Sequence, residues 1–149
     1  MANGQPDEGE APVIVSVADA AMHMFGAAIE VLPEPDDTEF PARSAVVLAG
    51  LRKLEAALTQ AASRSRATPA VIGSLAGVRN AYDDLMTRAA NAPGATLGQQ
   101  LYLTRRNARL SAQELANGAG LRGDLIEAIG LPREKLCTFC WNGEDLYGK

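Results

Sequence analysis

Apolar residues recur every three or four positions along most of this chain, and the pattern is broken by segments containing Pro or Gly. Between Ser16 and Leu32 the periodic set is Val17, Ala20, Ala21, Met24, Ala28, Ile29 and Leu32, which predicts a helix with Ser16 as its N-cap. Pro33, Pro35 and Pro41 end it in an acidic loop. A second helix is expected from Ser44, with Val47, Leu48, Leu51, Leu54, Leu58 and Ala62 along one face. Its basic far end, SRSRAT, suits a helix C-terminus. Thr68 before Pro69 signals a third start, because the hydroxyl can cap free amides and Pro lacks the N–H that a first turn leaves unpaired. The buried stripe expected there is Val71, Ile72, Leu75, Val78, Tyr82, Leu85 and Met86, and NAPG at 91–94 stops the helix. Nothing reads as a strand. The expected fold is all-α, opening with an assembly of about three helices that buries its stripes within the chain or against a second copy.

The most informative stretch is residues 96–132, TLGQQLYLTRRNARLSAQELANGAGLRGDLIEAIGLP. Thr96 is placed to cap a helix with Leu97, Leu101 and Arg105 on one face. Ser111 with Glu114 three residues on forms a capping box that leads into Leu115 and Ala116. After the break from Asn117 to Leu121, a third short helix would turn Leu125, Ile126 and Ile129 inward. Three short helices with a Gly-containing turn between the second and third are the layout of a helix-turn-helix unit.

These residues resemble the Cro/C1-type helix-turn-helix family of repressors. Leu97, Gly98, Leu101 and Arg105 match its first helix, and Leu110, Ser111, Glu114, Leu115 and Ala116 its second. Ala119, Gly120 and Leu121 match the turn, and Ile126 and Ile129 the buried positions of the third. The resemblance covers about a quarter of the chain. The chain departs from the family pattern at Arg109, where a Gly is usual, at Thr104 for a Leu, at Ala112 for a Gln that contacts DNA, and at Gly130 for a Glu. The resemblance implies that the third helix enters the major groove and reads base edges. Its outward residues here are Arg122, Gly123, Asp124, Glu127 and Ala128. Asp124 and Glu127 could accept from the cytosine amino group but oppose the phosphates. Arg105, Arg106, Arg109 and Arg122 suit phosphate, with Ser111 and Gln113 at the start of the second helix as further contacts.

Composition sets limits on this reading. The 149 residues include 27 Ala and are 5% aromatic, which favours helices. A net charge of −4 excludes an overall basic nucleic-acid binder. The charge is uneven: nine acidic residues and no Lys or Arg precede Arg43, so the remainder carries +5. No unbroken apolar run of about 18 residues exists. The N-terminus lacks the positive region of a secretory leader, so a cytoplasmic location with no membrane contact is expected. His23 is the sole His and heads no metal or nucleophile site. Asp83 and Asp84 point about 100° apart on a helix and do not converge as an acid/base pair. Gly73 and Gly77 would permit close helix packing, a spacing that coincidence also explains.

The tail GLPREKLCTFCWNGEDLYGK holds both cysteines, Cys137 and Cys140, as C-x-x-C. One such pair supplies two of the four ligands that zinc needs, and the strand and helix of a thioredoxin-like unit are not in prospect. Leu136, Cys137, Cys140, Trp141 and Gly143 are similar to a short cysteine segment near the end of glutamine amidophosphoribosyltransferases, in some of which it holds an iron–sulfur cluster. The match spans about a dozen residues and the other cluster ligands have no counterpart. Two reduced thiols are therefore expected, with no cofactor.

The chain thus divides into an acidic, disordered N-terminus (1–15), a helical part suited to dimerisation (16–92), a helix-turn-helix (96–132) and a Cys-containing tail (133–149). The expected function is a homodimeric, non-enzymatic transcriptional regulator that binds double-stranded DNA. The alternative is a protein-interaction module, of adaptor or antitoxin type, on the same scaffold.

Overall fold

In a computed structural model, which describes residues 9–64, 67–122 and 124–125, the chain is all-α, with five helices among the described residues. They are α1 (Glu10–Glu30), α2 (Phe40–Arg64), α3 (Pro69–Ala90), α4 (Leu97–Asn107) and α5 (Ala112–Ala119). Helical backbone begins again at Asp124 and Leu125. The chain forms two compact units, Met1–Leu85 and Met86–Lys149.

In the first unit, α1 packs against α2. Helix α3 lies antiparallel to α2: Arg79 Nε donates to Glu55 Oε1 at 2.7 Å, and the Arg52 guanidinium sits 5.5 Å from the Tyr82 ring centroid. Moving three residues back along α2 moves the contact three residues forward along α3. The core is made by Phe40, Val47, Leu48, Leu51 and Leu58 of α2 with Val71, Val78, Tyr82 and Leu85 of α3. The stripes expected for these two helices are therefore those that pack, save that Ile72 is exposed and Leu54, Ala62 and Leu75 are only half-buried.

Two boundaries differ from expectation. Helix α1 starts at Glu10 on Gly9, which offers no capping side chain, so Ser16 lies in its second turn and residues 10–15 are helical rather than disordered. Val17 and Met24, expected inside, are exposed; Ala11 and Ala18 are the buried residues of α1. Helix α2 begins at Phe40 with Pro41 in its first turn, where no amide is yet paired. Asp37 prepares this start, its Oδ1 accepting from the Glu39 amide at 2.8 Å and its carbonyl from the Phe40 amide at 3.1 Å. Ser44, expected to cap α2, is fully buried inside it and donates to the Pro41 carbonyl at 3.2 Å. The α3 start is as expected, with the Val71 amide donating to Thr68 Oγ1 at 3.4 Å.

Helix α1 spans 21 residues and holds an 18-residue stretch with a mean hydropathy of 1.5, long and apolar enough by length and composition to cross a membrane, although Asp19 and His23 interrupt it. His23 is exposed, and no described atom of another element lies within 4 Å of where a Cβ of Gly73 or Gly77 would stand, so close helix packing at these glycines does not occur among the described residues.

Candidate nucleic-acid interface

The second unit is organised by two capping boxes and two left-handed helix ends. At the head of α4, Thr96 Oγ1 accepts from the Gln99 amide at 3.2 Å while Gln99 Oε1 accepts from the Thr96 amide at 2.9 Å. At the head of α5, Ser111 Oγ accepts from the Glu114 amide at 3.1 Å and Glu114 Oε2 from the Ser111 amide at 2.7 Å. The reciprocal pairs satisfy amides that a helix start leaves open. The bond from the Ser111 amide, reinforced by its hydroxyl, holds the Glu114 carboxyl below its ordinary range.

Both helices close in Schellman fashion. After α5, Gly120 adopts φ +67°, its amide donates to the Asn117 carbonyl at 3.3 Å and the Leu121 amide to the Ala116 carbonyl at 2.8 Å. After α4 the same bonds recur, Arg109 to Arg106 and Leu110 to Arg105, each at 3.0 Å. The left-handed residue there is Arg109 at φ 56°, the position where the resemblance calls for Gly. The departure is thus a side chain held in backbone space that favours Gly. An eight-residue helix, a left-handed Gly and a return to helix by Asp124 give the chain two successive sharp turns within residues 108–124.

The arginines gather around the first of these turns. Arg105 Nη1 donates to the Leu110 carbonyl at 3.0 Å, which ties the side chain across the α4–α5 turn. The guanidinium carbons of Arg105 and Arg106 lie 5.6 and 6.0 Å from the Tyr102 ring centroid, stacking range for a cation on an aromatic face. Arg109 is exposed. The remaining described residues expected to contact DNA are already engaged. Gln113 Nε2 donates to Asn117 Oδ1 at 2.8 Å. Arg122 forms a two-pronged ion pair with Asp124, which raises the arginine's proton affinity and depresses that of the carboxyl through the hydrogen bonds they share. Arg122 and Asp124 therefore cancel one another's charge where the third helix begins. Glu127, Ile126, Ile129 and the Cys137/Cys140 pair lie outside the described residues.

The buried apolar residues of this unit among those described are Met86, Ala89, Ala92 and Ala116. Leu97, Leu110, Leu121 and Leu125 are exposed, so Leu125 does not take the inward place expected of it. No group of three or more His, Cys, Asp or Glu able to hold a metal occurs among the described residues.

Helices α2 and α3 thus form an antiparallel hairpin, and a basic turn joins two capped short helices further on. Comparison with known proteins places this all-α chain in a family. The MSMEG_6518_N family, described as an N-terminal domain, matches residues 25–96, from late α1 to the N-cap of α4. An uncharacterized protein of Mycolicibacterium smegmatis (strain ATCC 700084 / mc(2)155) is 62% identical over 106 residues, 71% of this chain and 82% of that protein. The chain belongs to the family of that mycobacterial protein. No solved structure matches it.

Proposed function

We propose that the protein is a non-enzymatic transcriptional regulator acting in the cytoplasm, whose second unit grips duplex DNA by its phosphates. The observation that carries this reading is the α5–Gly120–Asp124 turn, an eight-residue helix ended by a left-handed Gly, beside a cluster of three arginines. Over residues 96–125 four arginines face two carboxylates, so the unit is locally basic in an acidic chain. Arg105, Arg106 and Arg109 are the phosphate ligands. Arg105 divides its role, since one of its nitrogens already braces the turn. Because Arg122 is paired with Asp124, affinity comes mainly from the backbone contacts of the α4–α5 turn, and sequence preference is weak. Non-specific binding in the range of about 10⁻⁴ to 10⁻⁶ M at physiological salt is expected.

The test is fluorescence anisotropy of a labelled random duplex at two salt concentrations. Arg106→Ala with Arg109→Gly leaves the left-handed turn intact and should weaken binding and flatten its salt dependence. Wild-type protein that ignores duplex DNA even in dilute buffer overturns the reading. The second reading, a protein-interaction module, draws support from the Arg122–Asp124 pair, which neutralises the surface a reader helix would present. It predicts no duplex binding, and no effect of the arginine variants on it.

A further inference from the structure

Helix α1 carries two apolar stripes, with a polar stripe between them on one side and Ala21 and Ala28 on the other. One stripe, with Ala11, Ala18 and half-buried Ile14, Phe25 and Ile29, lies against α2. The polar stripe, Ser16, Asp19, His23 and Glu30, is exposed. The second apolar stripe is Val13, Val17, Ala20, Met24, Ala27 and Val31, at intervals of four, three, four, three and four residues. All six are exposed, Val13 by 60%, Val17 by 62%, Met24 by 72% and Val31 by 74%. This alternation of four and three, running for about two and a half heptads to the C-cap Val31, is the spacing of a coiled-coil seam and narrower than the face needed to cover a globular core. A shallow groove of about 340 Å³ follows its first half, lined by Pro12, Val13, Ser16, Val17 and Ala20.

We propose that this stripe pairs with the same stripe of a second copy of the chain, antiparallel, about a two-fold axis near residue 22. This pairing is independent of the DNA reading. In that register Val13 meets Val31 of the second copy, Val17 meets Ala27 and Ala20 meets Met24, so each large inner residue faces a small one. The seam is its own complement, as an isologous contact requires. The helix is about 32 Å long and presents a strip about 12 Å wide. Such a strip covers about 400 Å² on each copy, about 800 Å² in total, the size class of a weak, transient pairing. Opposed helix dipoles favour the antiparallel sense, and it separates the two Glu30 side chains that a parallel seam would set side by side. Asp19 points away from the seam. Lipid fits poorly: a spanning α1 would carry Asp19 and His23 into hydrocarbon, and for α1 lying on the surface no Lys or Arg before Arg43 can meet anionic headgroups.

Sedimentation velocity of the full chain at tens of micromolar should give a dimer that persists at high salt. Val17→Lys with Met24→Lys should raise its dissociation constant on the order of 100-fold or more, because both residues leave two layers each. Circular dichroism should stay unchanged, since neither side chain is in the core. In a background with Cys137→Ser and Cys140→Ser, a mixture of Ala20→Cys and Met24→Cys proteins should cross-link faster than either alone. A monomeric wild type, a dimer indifferent to the lysines, cross-linking of Met24→Cys chiefly with itself, or loss of the protein to lipid vesicles would each overturn the proposal.

Discussion

Arg109 and Gly120 occupy the same station, the first residue beyond a helix, and both take positive φ with the same pair of backbone bonds behind them. Only one of them has a side chain to accommodate. Arg109→Gly should therefore stabilise the second unit by about 1 kcal/mol, and Gly120→Ala should destabilise it by about 1 to 2 kcal/mol, both read from urea unfolding. The first substitution also removes a cation from the proposed interface, so a gain in stability accompanied by a loss of DNA affinity would show strain retained for binding. Gly50 makes a different demand. A Cβ there would stand 2.5 and 2.7 Å from ring carbons of Phe25, where α1 meets α2. Gly50→Ala should cost about 1 to 3 kcal/mol through overpacking, and Phe25→Leu in the same chain should recover part of it. Additive losses in the double variant would show that the contact is not the cause.

Among the elements, those whose ends are written in side chains were legible in the sequence: Thr68 and Pro69 for α3, Thr96 for α4, Ser111 with Glu114 for α5. Those whose ends are set by backbone alone were not. The head of α1 has no capping side chain, and Phe40 opens α2 because Asp37 turns the chain before Pro41. Periodicity failed in α1 for another reason. With two apolar stripes on one helix, spacing identifies both and does not say which one meets α2; the residues chosen, Val17 and Met24, belong to the outer one. The α5 cap has a measurable pH signature. Glu114 has a depressed folded-state pKa, so its stabilising effect is present above the unfolded carboxyl range and is lost as pH falls through the folded value. Ser111→Ala should cost about 1 kcal/mol at neutral pH and flatten that acid dependence, both read by thermal unfolding across acid pH. Tyr82 behaves in the opposite sense. Burial raises its pKa and Arg52 only partly offsets this, so it favours the fold at neutral pH and ceases to as pH rises through the raised value. Ultraviolet titration should show a late-ionising tyrosine, and Tyr82→Phe should remove that step.

For the whole molecule, the outer stripe of α1 and the basic turn after α4 act on a single measurable quantity. Each phosphate neutralised contributes about −0.9 to the slope of log affinity against log salt. One chain offers Arg105, Arg106 and Arg109, hence a slope of about −3, whereas a dimer with both second units engaged doubles it to about −5 or −6. Val17→Lys with Met24→Lys alters no residue of the basic turn, yet should halve the slope by separating the copies. Arg106→Ala with Arg109→Gly leaves α1 untouched and should lower the slope to about −2 while sedimentation still shows a dimer. The two variants thus fail differently. A slope near −3 in the wild type, unchanged by the lysines, would mean that each chain binds alone and that pairing through α1 does not serve DNA. A full slope that survives loss of both arginines would place the phosphate contacts elsewhere on the chain, among the cations that follow Arg43.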